Sequence, residues 1–230
     1  MNKKLNEILS LTEDIPYMGE DQAHELSRII RKYKVENMCE LGTFHGKGTI
    51  CAAAIMEQRG KGHVTTFDTE QTINSLSINV DTLAKRFKLS HRITSVVAEK
   101  SHSWELAKLI EDNAEPIFDC VYIDSSHDYA GTALPFYLSN ELAKPGCIFI
   151  FDDIEWTAEK SESAWYYDDI MSKEEKKLRS VNMFIEHAIR QQHLQEIPTT
   201  FPNWRVLHKS YLKFSDLVPK FLKFSPKKDL

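Results

Sequence analysis

Glu40-Leu41-Gly42-Thr43-Phe44-His45-Gly46-Lys47-Gly48-Thr49 decides how the rest of this chain is read. An apolar run at 35–39 precedes it, and a small-residue stretch at 50–56 follows. Strand, glycine loop and helix is the order in which an α/β protein opens a ligand crevice at the carboxyl end of a strand. Gly42 and Gly46 permit a tight turn and close backbone approach. The helix start beyond them offers free N–H groups to polar or anionic atoms. The stretch therefore predicts a pocket for an adenosine-type cofactor.

On either side of the loop, helical and strand periods alternate. Ala23, Leu26, Ile29, Ile30 and Tyr33 recur at helical spacing over 21–33. Strands are expected at 35–41, 63–67, 92–97, 118–123 and 147–151. Helices are expected between them at 50–56, 72–87, 101–110 (capped by Ser101) and 130–142, with Pro145-Gly146 turning into the fifth strand. This alternation predicts an α/β, Rossmann-like, doubly wound and mostly parallel sheet. A helix at 173–192 follows. Strands at 194–200 and 204–209, turning at Phe201-Pro202-Asn203, then make a C-terminal antiparallel pair. The organisation expected is one domain: a helical cap over 1–34, a cofactor-binding core over 35–153, an aromatic and helical insertion over 154–193, and final strands with a basic tail over 194–230.

The 230 residues suit one such domain with a full core. Acidic residues outnumber basic ones, 34 to 29, which gives no overall footing for nucleic acid. No apolar run reaches the ~20 residues that span a bilayer, and 1–10 lacks the apolar core of a secretory signal. Cys39, Cys51, Cys120 and Cys147 are widely spaced, as buried thiols of a reducing compartment would be, so a cytoplasmic location is expected. The tail carries Lys209, Lys213, Lys220, Lys223, Lys227 and Lys228 among Phe214, Phe221 and Phe224. It suits a membrane surface, an acidic partner or packing on its own domain, and with the N-terminal helix it could support a homodimer.

The glycine spacing separates three kinds of nucleotide loop. G-x-x-x-G-x-G is not the G-x-G-x-x-G of a dinucleotide fold, and Gly48 stands where a P-loop needs Ser or Thr. What remains is an acid followed by glycines, E-L-G-T-x-x-G. Further acids close the other strands: Asp68, Asp124 and the pair Asp152-Asp153. In a doubly wound sheet these ends line one crevice. Asp68, 26 residues after Gly42, suits an acid that accepts ribose hydroxyls.

The loop resembles motif I of class I S-adenosylmethionine (SAM) methyltransferases. Ile123-Asp124-Ser125-Ser126-His127-Asp128-Tyr129, with Pro145-Gly146-Cys147 leading to Asp152-Asp153, is similar to a subgroup of small bacterial O-methyltransferases. That subgroup includes sugar and macrolide tailoring enzymes and is related to the catechol-type, magnesium-dependent ones. The one departure, Cys147 for a second glycine, falls at the expected turn. The resemblance implies that Glu40, Gly42, Thr43, Gly46, Asp68 and Asp124 bind the cofactor, with Glu99 in the segment flanking adenine. It implies Mg²⁺ on Asp124, Asp152 and Asp153, and His127 as general base beside Asp124. The acceptor would be a small hydroxylated molecule.

The residue types agree with this chemistry. Carboxylate oxygens suit Mg²⁺, and an imidazole takes a proton near neutral pH. The acids would also serve as helix caps or bind a substrate amine directly. Lys47 reads as solvated, and His45 and His102 as bystanders. Trp156, Trp165, Tyr166 and Tyr167 suit a substrate lid or a packed insertion. The resemblance also implies that Tyr17 and Met18 lie near the methyl donor.

Overall fold

In the computed structural model, which describes residues 3–113, 115–161, 164–191 and 194–210, the chain runs α1 (Lys3–Leu11), α2 (Glu20–Lys32), β1 (Asn37–Leu41), α3 (Lys47–Gln58), β2 (His63–Thr69), α4 (Glu70–Ser75), α5 (Val80–Arg86), β3 (Ile93–Ala98), α6 (His102–Asp112), β4 (Phe118–Ile123), α7 (Tyr129–Glu141), β5 (Ala143–Phe151), α8 (Ser180–Gln191), β6 (Leu194–Ile197) and β7 (Arg205–Lys209). The strands make one seven-stranded sheet in the order β3-β2-β1-β4-β5-β7-β6. Strands β1 to β5 pair in parallel, and β7 runs antiparallel to β5 and β6. The predicted doubly wound sheet with its antiparallel pair is therefore present. Strand order reverses between β1 and β4, the place where such sheets open a crevice at their carboxyl ends.

Strand alternation sends side chains to two cores. Met38, Cys120, Ile148 and Ile150 meet Leu5, Ile8, Leu26, Ile29 and Ile55 from α1, α2 and α3. Cys39, Leu41, Val121, Phe149 and Phe151 meet Leu106, Phe136 and Phe184 from α6, α7 and α8. Each fully buried side chain of this kind contributes about 1.5–3 kcal/mol. All four cysteines are buried free thiols. Among the described residues, no helix is long and apolar enough to cross a membrane.

Three elements differ from expectation. The helix expected at 72–87 is two helices, because Leu76 leaves the first in an extended conformation and the Asn79 side chain caps the second at Thr82 N. Strand β5 begins at Ala143, so Pro145-Gly146 lies in a register irregularity inside the strand, and Cys147 is a buried strand residue. The helix expected at 173–192 starts only at Ser180. Before it, Ser172 and Glu175 cap one another in a single 3₁₀ turn, and Leu178 then turns extended. The tail beyond 210 and the Tyr166 side chain lie outside the described residues.

Candidate active site

The crevice is stitched by backbone bonds that cross the strand ends. Gly42 N donates to Phe67 O (2.9 Å), Asp124 N to Leu41 O (2.9 Å) and Asp152 N to Ile123 O (3.1 Å). Gly42 has φ 98°, and a Cβ there would stand 1.9 Å from Asp124 O. Gly46, at φ 84°, caps α3, and a Cβ would stand 2.5 Å from the Val80 Cβ. Both positions therefore demand glycine for conformation and for space. Above them opens a cavity of about 650 Å³, within the ~300–1,000 Å³ range of small-molecule sites.

A polar row crosses the sheet floor beneath this cavity. Thr66, Glu40 and Tyr122 are register partners on β2, β1 and β4. The Glu40 carboxylate is buried and accepts from the Thr49 hydroxyl and from Thr66 Oγ1 (2.7 Å). Thr66 and Thr43 share a further hydroxyl bond of 2.6 Å. Burial pushes Glu40 up to about 7 against the opposing pull of the two threonine hydroxyls. At the end of β2, Asp68 Oδ2 accepts from Phe44 N and Oδ1 from Thr69 N, each at 2.6 Å. These bonds fix the carboxylate at the cavity wall with lone pairs to spare.

The other half of the cavity holds the ends of β4 and β5. The Tyr122 hydroxyl donates to Asp152 Oδ2, which also accepts from Gln22 Nε2 (3.3 Å); Asp152 Oδ1 accepts from Asp153 N (2.7 Å). His127 Nε2 lies 3.4 Å from Asp153 Oδ2. Ligand atoms of Asp124, His127 and Asp153 all lie within 4.8 Å of one another. Burial first, then Asp152 and Asp153, push Asp124 well above the usual carboxylate range. Burial also raises Asp152 and lowers His127, the latter against the pull of Asp153 and Asp128. The Trp156 ring packs 5.3 Å from His127 and 5.3 Å from Tyr167.

Most residues singled out in the sequence meet here. Glu40, Gly42, Thr43, Gly46, Asp68, Asp124, His127, Asp152 and Asp153 line the one cavity, and Tyr17 and Met18 close its side. Glu99 does not line it and is exposed beyond β3. His102 does line it, with its Nδ1 buried and unpaired among the described residues. Lys47, read as solvated, is instead buried and donates from Nζ to Ile15 O (3.0 Å). Two of the motif's own residues serve the frame: Asp128 caps α7 at Gly131 N, and the Tyr129 hydroxyl bonds His187 Nδ1 (2.8 Å). Gln22, Thr49, Thr66 and Tyr122 are site residues that the sequence reading does not single out. Tyr122, a phenol inside the otherwise apolar run 120–123, was legible as a polar group facing the sheet floor; Thr66 was not, because β2 carries several polar residues.

A comparison with curated proteins gives no significant match. Among solved structures, the O-methyltransferase of Bacillus cereus in complex with S-adenosylhomocysteine (SAH) is 18% identical over 90% of each chain, with a TM-score of 0.62. The O-methyltransferase TomG of Streptomyces achromogenes, involved in tomaymycin synthesis and bound to SAM, is 14% identical over 91% of each chain, with a TM-score of 0.64. The mycinamycin-pathway methyltransferase MycE, in complex with Mg and SAH, is 15% identical over 91% of this chain and 55% of its own, with a TM-score of 0.59. At such identities the likeness establishes the fold. A family described as methyltransferase domain matches residues 39–154, half of the chain and every strand end that lines the cavity. By that match, the chain belongs to the methyltransferase-domain family.

Proposed function

We propose that this protein transfers a methyl group from SAM to a hydroxyl of a small molecule, assisted by Mg²⁺. One observation carries the reading: the glycine loop, Asp68, and the Asp124–His127–Asp153 cluster all face a single cavity at the switch point of the sheet. Membership of the methyltransferase-domain family and the SAM- and SAH-bound folds it resembles support the cofactor; the Mg complex of MycE supports the ion.

The residues fit both groups. Asp68 suits ribose hydroxyls, and the unpaired His102 Nδ1 offers a polar contact farther along the same wall. Glu40, at the loop's base, suits the methionyl amino group. The crowding that raises Asp124 is relieved by a cation, and Mg²⁺ prefers oxygen ligands. We therefore assign Asp124 and Asp153 to hold it. Asp152 stands beside that pair, its Oδ1 accepting from Asp153 N and its Oδ2 from the Tyr122 hydroxyl, with lone pairs left for the ion.

Bound SAM supplies an electrophilic methyl carbon, and bound Mg²⁺ supplies Lewis-acid stabilisation of negative charge on the acceptor oxygen. The chain supplies the remainder. His127 Nε2 takes the hydroxyl proton, and burial keeps its imidazole neutral and ready to accept. Trp156 and Tyr167 wall the acceptor side against water. Positioning of the two reactants accounts for most of the rate gain.

The His127–Asp153 contact also favours a second reading, in which this pair acts as base and orienting acid without metal. Transfer of radiolabelled methyl from SAM to a panel of phenols and sugars, with and without chelator, tests both readings. Turnover abolished by chelator and restored by Mg²⁺ is expected. Chelator-indifferent turnover would leave the metal-free pair, and no SAM-dependent labelling of any acceptor would refute O-methylation.

A further inference from the structure

Asp153 is held by a residue far away in sequence. Asn203 sits in the turn between β6 and β7 and bonds three successive residues of the loop that leaves β5. Its Nδ2 donates to Asp153 Oδ1 at 2.8 Å, its main-chain O accepts from Ile154 N at 3.4 Å, and its Oδ1 accepts from Glu155 N at 3.4 Å. The clamp falls on an uncommon backbone conformation. Asp153 has φ 54°, in the left-handed region, which aspartate visits more readily than most residues but still uncommonly, and these bonds help to hold it there.

The clamp also sets which way the carboxylate faces. With Oδ1 taken by the Asn203 amide, Oδ2 is the oxygen near His127 Nε2, at 3.4 Å. Trp156 N donates to Asp153 O (3.0 Å), so the ring beside His127 hangs on the same residue. The turn carrying Asn203 is itself anchored. Buried Trp204 packs 5.4 Å from the Tyr122 ring, and the Thr200 hydroxyl donates to buried Glu25 (2.6 Å) on α2. The clamp therefore joins the frame of the crevice to its acceptor side, and among the described residues the Asn203 bonds run to the loop after β5 and not to the glycine loop or Asp68.

We propose that Asn203 is a positioning residue that orients Asp153, and the loop behind it, for the chemistry at the acceptor side. The role given to Asp153 rests on the proposed function; the clamp itself does not. The test uses the full chain and its Asn203→Ala variant, with Asn203→Ser as a gentler second variant should the first fold poorly. Three quantities are measured: amide hydrogen exchange at Ile154 and Glu155, Mg²⁺ affinity by calorimetry at saturating SAH, and SAH affinity. The expected result is faster exchange at both amides, Mg²⁺ affinity lower by about 10–100-fold, and SAH affinity within about twofold of wild type, a split that general destabilisation would not give. Unchanged exchange, or faster exchange with unchanged Mg²⁺ affinity, overturns the proposal. If the wild type itself binds no Mg²⁺, the metal reading fails separately. The clamp is then judged on the His127 imidazole nitrogen resonances: altered resonances in the variant uphold it, and wild-type resonances overturn it.

Discussion

Replacing Glu40 by Gln should make the ligand-free protein more stable at neutral and alkaline pH while weakening its hold on cofactor. The carboxylate is buried beneath the cavity and shares its hydrogen bonds with Thr49 and Thr66. Its pKa stands at about 7 in the folded chain against 4.5 for an ordinary glutamate. Between those values the folded state holds a proton that the unfolded state has released. Stability therefore falls as pH rises through this window, and the loss is complete above it. At ~1.36 kcal/mol per pKa unit the loss is about 3 kcal/mol, or about 6–12 °C in Tm for a chain of this size. Glutamine keeps the shape, accepts from both threonine hydroxyls when its amide oxygen takes the place of Oε2, and carries no charge. The assay is urea or thermal unfolding of both proteins from pH 5 to 9 without ligand. The variant should gain on wild type steadily up to pH 7 and level off above it. If Glu40 holds the methionyl amino group, SAH affinity should fall by about 10–100-fold, the worth of one charged hydrogen bond. A stability difference that does not change with pH would refute the burial argument.

Asp68→Ala removes the acceptor of Phe44 N and Thr69 N as well as the proposed ribose contact, so SAH affinity should fall at least tenfold by calorimetry; wild-type affinity would remove the ribose assignment. His127→Ala should lower turnover by about 10²–10⁴-fold with SAH affinity nearly intact, and unchanged turnover would end its role as base. Gly46→Ala forces a side chain into the left-handed region and against Val80; a loss of at least ~1–2 kcal/mol is expected in denaturant unfolding, and a neutral result would mean that the loop relaxes freely.

The fold was legible because the chain punctuates itself. Apolar strands end in acids, glycines follow β1, and helical spacing marks α2, where Ala23, Leu26, Ile29 and Ile30 are all buried. Acids closing the strands mark Glu40, Asp68, Asp124 and Asp152-Asp153 as crevice residues from the sequence alone. Register and long-range contact were not legible. Nothing local in Phe201-Pro202-Asn203 indicates that Asn203 reaches Asp153, because that bond spans 50 residues. Lys47 looked solvated because a lysine at a helix start usually is; its burial depends on Ile15, which belongs to a separate segment. Apolar spacing alone also joined α4 to α5, where the Asn79 cap outweighed periodicity.

Every role proposed for this site requires that the cavity above Gly42 and Asp68 bind an adenosyl cofactor. Calorimetric titration of the purified protein with SAH, with and without Mg²⁺, tests it most directly. One site of micromolar or tighter affinity, about −8 kcal/mol or better, is expected. Absence of binding in both conditions would contradict it.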